Sequence, residues 1–84
     1  MVTIHARGVH FRVYPQDHGG RHVHGLYGDV AVIVSLREDG TVALADRKDC
    51  VRPGNAKRSD VRWVLETAAE QFELLVAAWE AMHT

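Results

Sequence analysis

The stretch Val2-Thr3-Ile4-His5-Ala6-Arg7-Gly8-Val9-His10-Phe11-Arg12-Val13 decides the fold. Its apolar residues alternate with polar ones, the period of a strand with one buried face. A two-residue turn at Arg7-Gly8 makes Ala6 face Val9, Ile4 face Phe11 and Val2 face Val13. Every apolar position then lands on one side, whereas a slip of one residue would throw one strand's set to the other. Thr3, His5, His10, Arg12 and Tyr14 are left on the opposite face.

Working outward, Pro15 and the run Gln16-Asp17-His18-Gly19-Gly20 interrupt the ladder, because proline lacks an amide donor and glycine admits backbone angles other residues avoid. A third strand is predicted over about residues 22–27. Pairing it antiparallel so that Val13 meets Val23 puts Arg12 opposite His24 and Tyr14 opposite His22. The polar face thereby gains two imidazoles, standing away from any helix on the apolar face, with His18 on the rim. Residues 17–29 carry three of the six histidines and four of the seven glycines, which marks a place on the molecule without naming a reaction. After a turn at Gly28-Asp29, residues 30–36 are apolar at both parities, the pattern of a central strand covered on both faces. Glu38-Asp39-Gly40 is a strong turn, and residues 41–44 read as a short last strand.

Residues of about 46–58 form a charged linker around Pro53-Gly54. A helix is predicted over about 59–83, capped by Ser59 or Asp60, with Asn55 as the alternative cap. Val61, Leu65, Ala68, Phe72, Leu75, Val76, Trp79 and Met82 recur at helical spacing. A straight helix of that length spans roughly 35 Å and a six-residue strand only about 20 Å, so it either breaks near Ala69-Glu70 or reaches a partner. A secondary apolar patch of Trp63, Leu74, Ala78 and Ala81 points to a partner. The expected fold is α+β: one domain over 1–84, with a four- to five-stranded mainly antiparallel sheet and a long C-terminal helix packed on one face.

Composition bounds the function. Eighty-four residues bury only about 60% of the unfolded chain's surface, a thin core that a partner subunit would help. A hydrophobic fraction of 46% and a charged fraction of 25% are those of a folded globular chain. The formal net charge of -1 gives no long-range pull on nucleic acid or an anionic bilayer, so a polyanion site would have to be local. There is no secretory h-region and no run of the roughly 18 apolar residues that span a membrane. The single Cys50 cannot close an intramolecular disulfide and reads as a half-buried thiol; a reducing, cytoplasmic location is expected.

The run Asp17-His18, then His22-Val23-His24, then Tyr27-Gly28-Asp29, followed by a hydrophobic strand and a helix ending Leu75-Val76-Ala77-Ala78-Trp79-Glu80, resembles a small bacterial family catalogued as domain of unknown function 4160. The likeness extends over almost the whole chain. Two positions depart from the family pattern: Gly20-Arg21 stands where Pro-Pro is frequent, and Gly25 where an aliphatic residue is frequent, which implies a more flexible bend. The connection from Arg52 to Asp60 looks like a longer-linker branch. The resemblance implies a genetic setting, that of a toxin–antitoxin-like pair beside another small protein, and carries over no catalytic residue.

Three chemistries fit the histidines. His22 and His24, two apart on a strand, point the same way about 7 Å apart at Cα, and with His18 could hold zinc or nickel with one position open for a water or substrate. His10 is an alternative third ligand. Alternatively, His22 and His24 could move protons on RNA while Arg12 or Arg21 steadies a phosphate gaining charge, a metal-independent ribonuclease with His22, His24 and Arg12 as catalytic candidates. The leading reading is a binding module whose sheet face or C-terminal helix meets a protein partner, as a homodimer or in complex with the neighbouring small protein. Whether the chain is an enzyme stays open at this point. His5 reads as a tolerated surface residue and His83 as a partner of the helix dipole. Arg47, Lys48, Arg52, Lys57, Arg58 and Arg62 are interleaved with Asp46, Asp49 and Asp60 and read as a solvated mixed-charge segment.

Overall fold

The structure, a computed structural model, describes residues 1–15 and 20–83. Asp17 and His18, and with them the rim position expected for His18, lie outside the described residues.

The alternating N-terminal stretch forms β1 (Val2–Ala6) and β2 (Val9–Val13), paired with Val2 opposite Val13, Ile4 opposite Phe11 and Ala6 opposite Val9. Arg7 and Gly8 both take positive φ, 50° and 81°, the backbone a two-residue hairpin turn requires. Strand β3 (His22–Tyr27) adds antiparallel with Phe11 opposite Gly25 and Arg12 opposite His24, the expected register. Strand β4 (Val30–Leu36) follows, then β5 (Val42–Leu44), in the spatial order β1-β2-β3-β4-β5. The turn before β5 is held by Asp39, whose carboxylate accepts bonds from the Thr41 hydroxyl at 2.6 Å and the Thr41 amide at 3.1 Å.

A sixth strand lies inside the segment expected to be a linker. β6 (Val51–Arg52) pairs with Ala31 and Val32 of β4, beside the β5 pairing at Val34–Leu36. Two short strands therefore share one edge of β4. Ile33 joins them, its amide donating to the Cys50 carbonyl at 2.7 Å and its carbonyl accepting from the Ala45 amide at 3.0 Å.

The C-terminal segment is two consecutive helices, α1 (Arg58–Glu70) and α2 (Phe72–His83), separated at Gln71. The break falls one residue beyond the expected place and leaves helices of 13 and 12 residues, each about as long as a six-residue strand. The cap differs from expectation: the helix starts earlier, at Arg58, so the N-cap is Lys57, which makes no side-chain capping bond. Asp60 sits instead in the first turn, where its charge favours the positive helix end.

The helices cover one face of the sheet. Val9, Phe11, Val13, Val23, Val32 and Val34 meet Val64, Ala68, Leu75 and Trp79 in a single core. Thr67, also fully buried, satisfies its hydroxyl by donating to the Trp63 carbonyl at 2.7 Å. Gly25 lies inside β3 and lets α1 approach: a Cβ there would stand 2.6 Å from Cγ1 of Val64 and 3.2 Å from Cε1 of Phe11. Its role is close packing, in place of the loop flexibility read from the sequence.

The secondary patch expected on the helix dissolves in part. Trp63 and Ala78 pack against the core, and Trp63 donates from Nε1 to the Arg7 carbonyl at 2.9 Å while the Arg7 guanidinium lies 4.1 Å over its ring. Leu74 is left 58% exposed. No helix among the described residues is long and apolar enough to cross a membrane.

Candidate functional site

The face of the sheet turned away from the helices carries the site, and strand parity assigns its residues. One row across the strands reads Thr3, Arg12, His24, Ile33; the next reads His5, His10, Leu26, Ala31. Side chains directly opposite on neighbouring strands are in reach of one another, so Arg12 and His24 stand side by side as the register requires. Tyr14 meets His24 edge to face, ring centres 4.9 Å apart. Arg12, Tyr14, His24, Leu26, Ile33, Asp49 and Arg52 line a shallow hollow of about 160 Å³.

His22 shares the parity of His24 but not its surroundings. At the start of β3 its ring is buried and packs against Trp79 of α2 at 5.2 Å, contrary to the expectation that it stands away from the helix. His22 is the first residue of β3, so its ring stands at the end of a strand, where Trp79 of α2 reaches it. Its Nδ1 lies 2.9 Å from the Gly20 carbonyl, and since a carbonyl only accepts, Nδ1 carries the proton. Its Nε2 is enclosed by protein. The rings of His22 and His24 are 5.7 Å apart, and His83 stacks on Trp79 at 3.6 Å. Tyr14, His24, His22, Trp79 and His83 thus form one continuous series of rings from the open face to the helix end. His83 also bonds through Nδ1 to the Trp79 carbonyl at 2.8 Å, as expected of a residue that satisfies the last helical carbonyls.

The candidates therefore divide. Arg12 and His24 come together on the open face, with Arg52 beside them. His22 touches His24 but is enclosed, and His18 is outside the described residues. Arg21 is turned to the backbone, donating to the carbonyls of Leu36 and Arg37. Among the described residues no three His, Cys, Asp or Glu side chains converge as a metal site. Two features escaped the reading of single residues. Arg52 and Asp49 reach the hollow because β6 folds back on β4, which no periodicity announces. His5 and His10 face each other across β1 and β2 with ring centres 4.3 Å apart, a pairing already implied by the hairpin register.

Comparison with family models, curated proteins and solved structures gave no match.

Proposed function

We propose that the chain is a partner-binding member of a small bacterial module of the toxin–antitoxin type, and that it holds its protein partner on the open face of the sheet. The observation that carries this reading is β4. Its residues are apolar at both parities, yet the helices cover only one, leaving Ala31 and Ile33 half-buried on the other beside Leu26. Apolar side chains grouped on an uncovered face are what an interface uses. The small size of the core favours gaining stability from a partner. The resemblance to the domain of unknown function 4160 supplies the genetic setting, and the His24–Tyr14–Arg12 group supplies polar contacts at the centre of that face.

Light-scattering mass, measured alone and after co-expression with the product of the adjacent gene, tests the reading. A dimer or a one-to-one complex is expected, and Ile33→Arg should abolish it while circular dichroism stays that of the folded chain. A strict monomer that ignores the neighbouring product counts against the proposal, as does a complex indifferent to Ile33→Arg.

One observation favours a second reading, a metal-independent ribonuclease. Arg12, His24 and Arg52 place two guanidinium groups and an imidazole at one hollow, with the Asp49 carboxylate 3.7 Å from the Arg52 guanidinium; a guanidinium beside an imidazole is the pairing of phosphate binding with proton transfer that RNA cleavage uses. Incubation with RNA should then show cleavage that His24→Ala removes; equal inertness of the native and His24→Ala chains eliminates it.

A further inference from the structure

We propose that His5 and His10 form a two-imidazole chelating site for a divalent transition metal, distinct from the His22–His24 pair. The hairpin itself builds the site. A two-residue turn closes on the hydrogen-bonded pair Ala6 and Val9, and paired positions alternate along an antiparallel ladder. His5 and His10 are therefore a non-hydrogen-bonded pair, the type whose side chains stand closest. Both are exposed, and their rings lie 4.3 Å apart at an interplanar angle of 49°.

That spacing fits a shared ion. With metal–nitrogen bonds of about 2.0–2.1 Å and a further ~1.1 Å to each ring centre, two imidazoles at right angles about a metal have centres roughly 4.5 Å apart; at the tetrahedral angle the figure is roughly 5.2 Å. The observed separation is nearer the first, the arrangement of adjacent positions around Cu(II) or Ni(II). Rigid pairing on neighbouring strands means the second imidazole binds as an intramolecular partner of the first. The surroundings limit the site: Leu26 lies beyond His10 in the same row, and Thr3 and Arg12 are the next pair along the face. Arg12 opposes an arriving cation, and the remaining coordination positions are open to water.

Calorimetric titration of the full chain with Cu(II) at neutral pH, in a buffer that does not coordinate metal, tests the assignment, with Zn(II) followed by imidazole proton resonances. One metal per chain is expected, with the His5 and His10 ring signals shifting first. His5→Ala and His10→Ala should each weaken binding roughly tenfold or more without lowering the melting temperature, since both side chains are exposed. His24→Ala should leave the affinity unchanged. Absence of binding at millimolar metal overturns the proposal, and so does binding that survives His10→Ala or is lost in His24→Ala.

Discussion

Replacing Gly25 by alanine tests the packing that sets the helices on the sheet. The added Cβ would lie 2.6 Å from Cγ1 of Val64, whereas carbon atoms rest about 3.5–4.0 Å apart. Roughly 1 Å of separation has to be found. Val64 is fully buried in α1, and a β-branched side chain in a helix has one strongly preferred rotamer, so it cannot swing aside. The helix or the strand must shift, at about 1–3 kcal/mol for overpacking. Reduced freedom of the unfolded chain returns about 0.4–1 kcal/mol, leaving a net loss of about 1–2 kcal/mol. For a domain of this size each kcal/mol is about 4–8 °C in melting temperature, so Gly25→Ala should melt about 4–16 °C lower. Val64→Ala alone leaves a void and should cost about 1–3 kcal/mol. In the double variant the new methyl occupies that void, so the two losses should fall short of their sum by about 1 kcal/mol or more. Thermal and urea melts of the four proteins measure this; simple additivity would refute the claim that Gly25 is required by Val64.

Three further outcomes are expected. Hydrogen bonds from the Thr41 hydroxyl and amide hold the Asp39 carboxyl below the ordinary carboxylate range. A folded-state pKa below the unfolded one gives stability that is present above about pH 4 and lost as pH falls through the folded value; Asp39→Asn should flatten the acid limb of the melting-temperature profile, by a small amount because the group is exposed. At the hairpin tip, Glu70 pairs with Arg7 in solvent, so Glu70→Gln should change stability by less than about 1 kcal/mol and by still less in high salt. Trp63→Ala, which removes the indole beneath Arg7 and its bond to the Arg7 carbonyl, should cost several times more in the same melts.

The hairpin and the β2–β3 register were legible because parity checks itself: a slip of one residue takes Ile4, Phe11, Val13 and Val23 off their common face, and in the hairpin the two-residue turn at Arg7-Gly8 excludes a slip of two. The helical face from Val61 to Met82 was legible for the same reason at another period, while comparing lengths left a break or an end reaching a partner as alternatives, of which the chain takes the break. Strand β6 was hidden because two residues carry no period, and Val51–Arg52 pairs only because β4 has an edge left to fill. The cap at Lys57 was hidden because Ser59 and Asp60 have the better capping chemistry, while the start of the helix is set by where the chain leaves β6. At the site, parity placed Arg12, Tyr14 and His24 together. It could not foresee that Trp79 would reach His22, since that contact joins residues far apart in the chain at a corner where the sheet ends.

The two backbone bonds of Ile33 act as a clasp. Because Cys50 and Ala45 are fastened to the amide and the carbonyl of one residue, on the same edge of β4, the four residues between them hang as a loop whose ends are already fixed. Doubling the length of such a loop costs only about 0.6 kcal/mol, so this is where the chain can gain or lose residues between its sheet and its helices without moving either. The charged segment that reads as a linker in the sequence is thus two parts with different freedom: a loop at 46–48 that can vary, and a seam at Val51–Arg52, with Asp49 paired to Arg52, that is sewn into the sheet.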